Sequence, residues 1–183
     1  MSEELIVRHC APTLAGIKTA NLFTCDYKTI EETERIVSNL NKSLAKKGVR
    51  VATLRYSDNR VLIYIYRPKR LEKDWSNQCV YALLSEKGYQ CENIDRCVAQ
   101  LSKEITYSQM FPHEIGLFLG YPPEDVKGFI ENKGAGYKCI GCWKVYGDEQ
   151  HARKLFDIYK KCTEVYCARY LRGVSMQQLT VAA

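Results

Sequence analysis

Two runs of alternating β-formers, "VRVATLRY" and "RVLIYIYR", flank the polar cluster "SDN" and constrain this chain more than any other feature. Branched and aromatic residues on both sides of such a turn fold back as an antiparallel hairpin, and Pro68 closes the second run. Just upstream, "TIEETERIVSNLNKSLAKKG" carries Thr29 with Glu32 as a capping box and Ile36, Val37, Leu40 and Leu44 at helical spacing. Lysines fill its last turn and Gly48 is the stop. A helix feeding a hairpin sets an α+β class built on a small, mainly antiparallel sheet.

The remaining pattern adds helices around that unit. After an irregular opening, Pro12 and Thr13 begin a turn or short helix, and a short strand lies near Asn21 to Cys25. Leu71, Trp75, Cys79, Ala82 and Leu83 share one helical face ended by Gly88, and Ile94, Cys97, Val98, Leu101 and Ile105 share another, so both cysteines on these stripes read as core. Two short helices follow, the first opened by Pro112 and closed by Gly120, the second opened by Pro122 and Pro123 and closed near Gly134. The segment "KCIGCWKVYG" reads as a strand. A long helix from Asp148 packs Leu155, Phe156, Tyr159, Cys162, Tyr166 and Tyr170 and ends at Gly173, after which the tail 174–183 is expected to fray. The expectation is one α+β domain over 1–183, with about four strands, including the central hairpin, packed with about six helices; a chain of this length can bury a core without staples.

Composition narrows the setting. The opening "MSEELIVRHC" lacks the basic and long apolar regions of a secretory signal. The longest uncharged apolar runs, "VLIYIY" and "CVYALL", have six residues each, too few to span a membrane. A cytoplasmic protein with no membrane partner is expected. Nine cysteines, an odd count at irregular spacing, fit reduced thiols rather than a disulfide framework. The net charge of +6 is local: from Lys42 to Lys73 ten basic residues face Asp58 and Glu72, a net +8, which leaves −2 elsewhere. Such a segment implies an anionic partner, whether a small ligand or an acidic protein.

Candidate chemistry concentrates in three stretches. Cys139 and Cys142 lie on opposite faces of a regular strand, so they could share a metal or form a redox pair only if Ile140 and Gly141 turned the backbone into a knuckle. Further ligands would have to come from His9, Cys10, His113 or Cys162, since no second C-x-x-C exists. Packing, redox work and metal binding therefore all stay open, with packing first. "HEIGL" lacks the second histidine of H-E-x-x-H, because Leu117 stands there. On the hairpin, Arg50, Arg55, Arg60 and Arg67 interleave with Tyr56, Tyr64 and Tyr66, a mix suited to phosphates or stacked bases. With no RNP-type signature and no glycine-rich phosphate loop, nucleic acid ranks below an anionic ligand or acidic protein.

At "HCAPTLAGIKTANLF", "PHEIGLFLGYPPEDVKGF" and "YKCIGCWKVYGD", in this order, the chain resembles the bacterial domain-of-unknown-function family 3793 over essentially its full length. The resemblance carries no activity. It implies an intracellular protein of anaerobic bacteria in redox or iron-linked settings, with an acidic partner such as a flavodoxin, and it singles out His9, Cys10, Lys18, His113, Glu114, Tyr121, Cys139, Cys142 and Trp143. The expected site is a pocket where "HCAPT", the His113 helix start and the cysteine strand converge. Lys18, Arg55 and Arg67 would attract an anion there, His113 would donate or ligate, and Cys139 or Cys142 would supply a thiolate. The rival expectation is a noncatalytic interaction module that docks an acidic protein or nucleic acid on the basic hairpin.

Overall fold

The hairpin forms as its alternation requires. Asp58 and Asn59 both take positive φ, 45° and 62°, in the two-residue turn whose twist matches paired strands. The structure, a computed structural model, describes residues 1–108 and 110–182. In chain order it comprises α1 (Glu3–Leu14), β1 (Ala20–Asp26), α2 (Ile30–Leu44) with a 3₁₀ turn (Ala45–Lys47), β2 (Arg50–Ser57), β3 (Arg60–Tyr66), α3 (Pro68–Trp75), α4 (Gln78–Glu86) and α5 (Ile94–Tyr107). It continues with α6 (Ile115–Phe118), α7 (Pro123–Glu131), β4 (Cys139–Ile140), β5 (Lys144–Val145), α8 (Glu149–Leu171) and α9 (Met176–Leu179). The class is α+β, as the patterning requires.

β3 is the centre of a three-stranded antiparallel sheet in the order β1-β3-β2. From Val61 to Tyr66 its residues are buried on both faces and feed two cores alternately. Val61, Ile63 and Ile65 meet Val7, Leu14, Val37, Leu44 and Met176 on one side. Leu62, Tyr64 and Tyr66 meet Leu71, Trp75, Leu84, Leu101 and Phe118 on the other. The sheet is thus the middle layer between α1, α2 and α9 and the α3–α7 group. A third cluster, Cys139, Trp143, Val145, Ala152 and Tyr159, joins the β4–β5 hairpin to α8.

Four local expectations are corrected. The opening is a helix rather than irregular chain: the Ser2 hydroxyl caps it by accepting from Leu5 N, Glu3 and Glu4 favour its first turn, and Pro12 is carried in its last turn. The 71–88 helix is broken at Ser76 and Asn77, because Asn77 caps a new helix by accepting from Cys79 N; Cys79 is exposed, and Val80 and Leu84 are buried instead. "KCIGCWKVYG" is a tight hairpin, with Cys139 paired to Val145 and Ile140 to Lys144, and it forms a separate two-stranded sheet rather than a fourth strand of the main one. The tail is docked rather than frayed: Ser175 and Gln178 form a reciprocal capping box, and Met176, Leu179 and Thr180 are buried.

The tail docks because Arg67 needs it. This residue is 1% exposed, and its guanidinium donates to Thr13 O at 2.6 Å, Leu14 O at 2.8 Å, Lys47 O at 3.1 Å and Val181 O at 2.7 Å. Arg67 therefore cannot serve as a ligand for a soluble anion, the role expected of it; its donors are already directed at backbone. An Arg67→Lys variant keeps the charge but not the planar fork, and leaves buried carbonyls without donors. It is expected to lose about 3 kcal/mol or more, measured as a lower urea midpoint; an unchanged midpoint would refute this role.

Candidate functional site

The β4–β5 hairpin is pinned by one carboxylate. Asp125, in the first turn of α7 and 3% exposed, accepts from Trp143 Nε1 at 2.6 Å and from the backbone N–H groups of Tyr146 and Gly147 at 2.7 Å each. The turn itself runs through Gly141, Cys142 and Trp143, and Gly141 N donates to Trp143 O at 3.1 Å. Gly141 is required by close approach: a Cβ there would lie 2.2 Å from the Phe156 ring. The backbone knuckle that would free the two cysteines from a regular strand therefore exists, yet it separates them. Cys139 turns inward and is buried, whereas Cys142 is exposed at the tip.

Two clefts meet at that tip. The larger, of about 590 Å³, lies between α1, the start of β1, α8 and the hairpin, and its wall includes His9, Lys18, Tyr121, Cys142, Tyr159 and Lys160. The smaller, of about 300 Å³, includes His113, Tyr121, Phe129, Cys142 and Trp143. Tyr121 and Cys142 form the partition between them. Tyr121 stacks on Trp143 with centroids 4.6 Å apart, and its hydroxyl donates to Cys142 O at 3.2 Å. Trp143 in turn meets the Phe156 ring edge to face at 4.6 Å. The partition is a rigid aromatic stack.

Lys18 is the unusual member. The turn after α1, in which both Ile17 N and Lys18 N donate to Pro12 O, carries it beneath the start of β1. It is 5% exposed. Its ammonium donates to Ala20 O and sits 5.2 Å from the centroid of the Tyr121 ring. None of the ion pairs among the described residues includes it. Desolvation lowers its pKa to about 8, opposed by the Cys142 and Cys10 thiols. Cys142 feels the converse: partial desolvation of its thiol against the cleft wall pushes the pKa up and Lys18 pulls it down. Burial raises the Tyr121 and Tyr159 phenols as well, so both remain protonated donors at neutral pH.

The other candidates fall in distinct places. His9 stacks on Phe23 with the rings 3° from parallel, and desolvation followed by Arg8 lowers its pKa toward neutral imidazole. His113 stands just before α6 rather than inside it and meets the Phe129 ring edge to face at 4.9 Å. Cys10 is wholly enclosed in the core beneath α1, where burial pushes its thiol far up; it reaches neither cleft. Glu114 is buried, accepts from the Tyr89 hydroxyl at 3.1 Å and faces a different groove beside α4 and α7. Arg55 donates to Ile105 O at the end of α5, away from the clefts. Among the described residues no three His, Cys, Asp or Glu side chains stand together as a metal site would need, so Cys139, Cys142, His113 and Cys10 are not gathered as one ligand set.

The basic hairpin is also partly committed. Arg50 pairs with Asp95 at 2.7 Å, and Arg60 donates to the Thr24 hydroxyl at 2.6 Å. Sequence reasoning missed Tyr159 and Phe156 as site residues by reading them as a packing stripe of the last helix. Along α8 only Ala152 and Tyr159 are fully buried; Leu155, Phe156, Tyr166 and Tyr170 are partly buried against neighbouring clusters, and of the stripe Phe156 and Tyr159 also line the larger cleft. No signal in the sequence separates the two cases.

Fold and site together define a small three-layer α+β protein with a hairpin-tip thiol dividing two clefts, one of them holding a buried lysine. Residues 6–180 match the family model described as "Protein of unknown function (DUF3793)", and the chain belongs to that family. No curated protein and no solved structure matches the chain. Among the described residues no helix is long and apolar enough to cross a membrane.

Two outcomes test this geometry. Asp125→Asn supplies one acceptor oxygen where three donors converge, and is expected to cost about 2–3 kcal/mol locally; hydrogen exchange should accelerate across 139–147 and stay slow in β3. Lys18→Met tests the cost of the buried ammonium. The unfolded chain holds its proton up to the ordinary lysine value of 10.5 and the folded chain only to about 8, so between these limits stability from this site rises with pH. The variant should exceed the native protein at pH 7 by up to about 3 kcal/mol, with the gap closing between about pH 8 and 10.5. A variant less stable at pH 7 would contradict the assignment.

Proposed function

We propose that this protein binds a small anionic ligand or cofactor in the cleft between α1, α8 and the β4–β5 hairpin, and that Cys142 brings thiol, redox-linked chemistry to it. The observation that carries this reading is Lys18: a buried ammonium whose charge meets a carbonyl and an aromatic face, in the wall of a cleft that also presents Cys142. Burying such a charge is costly, and an anion entering the cleft would repay that cost. Lys160 adds a second cation at the exposed rim, and the Tyr121 and Tyr159 phenols add donors. A reducing, cytoplasmic compartment suits the nine unpaired thiols.

The test uses the two exposed cysteines against each other. Under native conditions iodoacetamide should modify Cys142 and Cys79, and a bound anion should protect Cys142 while Cys79, on α4, continues to react. Screening phosphate, sulfate and small mono- and dicarboxylates is expected to find at least one that gives this selective protection and raises the melting temperature, both effects disappearing in Lys18→Met. Equal reactivity of the two thiols under every anion would defeat the reading.

A further inference from the structure

We propose that Lys18 forms an imine with a carbonyl-bearing carboxylate, such as a 2-oxo acid, bound in the larger cleft. This deepens the anion-binding reading and rests on it. A lysine acts as a carbonyl nucleophile when its amine is desolvated and not held protonated by a carboxylate partner. Lys18 meets both conditions: it is 5% exposed, no ion pair among the described residues includes it, and its contacts are Ala20 O and the Tyr121 ring. Its lowered pKa agrees with that placement.

The cleft supplies the other groups the reaction needs. The amine nitrogen adds to the carbonyl carbon, forming the C–N bond as the C=O π pair moves to oxygen, which takes a proton from the Tyr159 or Tyr121 phenol. Nitrogen then gives up a proton, restoring the phenol, and leaves a neutral carbinolamine. Hydroxide then departs, protonated by the same phenol, to give water and the protonated iminium, whose N–H proton returns to the phenolate and leaves the imine, so amine plus ketone balances imine plus water. His9, biased toward neutral imidazole, lines the same cleft and can relay the nitrogen's proton. Lys160 at the rim is placed for the ligand's carboxylate, with Glu164 beside it opposing a second negative charge. One carboxylate adjacent to a ketone therefore fits better than a dianion.

The titratable and charged groups that face this part of the cleft are His9 from α1, Tyr121, Cys142 from the hairpin, and Tyr159, Lys160, Glu164 and Cys167 from α8, while the Cys10 thiol acts on Lys18 from within the core. Asp74 of α3 is engaged next door by the Thr19 hydroxyl at 2.5 Å.

Incubating the native protein with pyruvate or glyoxylate and sodium cyanoborohydride, followed by peptide mapping, should place the reduced adduct at Lys18 ahead of the exposed lysines. Lys18→Arg, which keeps the cation, should lose the adduct yet retain protection of Cys142 by the non-reactive analogue lactate. Adducts spread over surface lysines with Lys18 unmodified, or no adduct at all, overturn the imine. If lactate still protects Cys142 in that event, anion binding survives without it; if neither lactate nor any of the screened anions protects Cys142 in the native protein, the underlying binding reading falls as well.

Discussion

The fold depends on a guanidinium that has no carboxylate partner among the described residues. Arg67 leaves the end of the central strand and donates to four carbonyls drawn from the end of α1, the 3₁₀ turn after α2 and the C-terminal tail. Three of these acceptors, Thr13, Leu14 and Lys47, lie at helix ends, where carbonyls lack intrahelical partners and carry partial negative charge. The charge is thereby neutralised by dipoles, and the dipoles gain donors. A single side chain closes the layer of α1, α2 and α9 onto the sheet, and it sets where α1 must stop.

Where α1 stops decides where the site begins. Immediately after Thr13 and Leu14 the chain turns back on Pro12 O, and that turn drives Lys18 under the start of β1. The opposite wall is set independently. Asp125 holds the β4–β5 hairpin to α7, and Gly141 lets Phe156 of α8 press against the turn, so Cys142 is presented at a fixed point beside Tyr121. Lysine and thiol come from segments more than a hundred residues apart, each anchored by a buried polar side chain, Arg67 or Asp125, satisfied by backbone or indole.

How much of this could be read beforehand follows the range of each determinant. The hairpin and α5 were legible because alternation, turn residues and i, i+3, i+4 spacing are local. α1 was hidden by Pro12, which signals a helix break but is tolerated in a last turn, and the 71–88 stripe concealed a second cap at Asn77. Two-residue strands such as β4 and β5 carry no alternation to detect, so "KCIGCWKVYG" read as one strand. Of the candidate site, His9, Lys18, Tyr121 and Cys142 do share a cleft, and His113 and Trp143 share the adjoining one. Arg67 misled because its partners, at 13, 14, 47 and 181, are invisible to any local pattern, and a basic residue on a hairpin reads as surface.

The two buried cations make a controlled contrast within one protein. Both leave water, and both lose stability in doing so. Arg67 recovers it through a planar fork that places four of its five N–H donors on carbonyls, and burial with that complement makes it a structural element rather than a ligand site. Lys18 has three ammonium donors, one carbonyl and a ring face, so its environment compensates the charge only in part, and its pKa falls accordingly. Evolution could remove that cost with a methionine of similar length. A chain that instead retains an incompletely satisfied ammonium against an aromatic partition, next to a solvent-reaching thiol, holds reactivity where it could have held stability, and that trade is the physical basis for reading the cleft as the working part of the molecule.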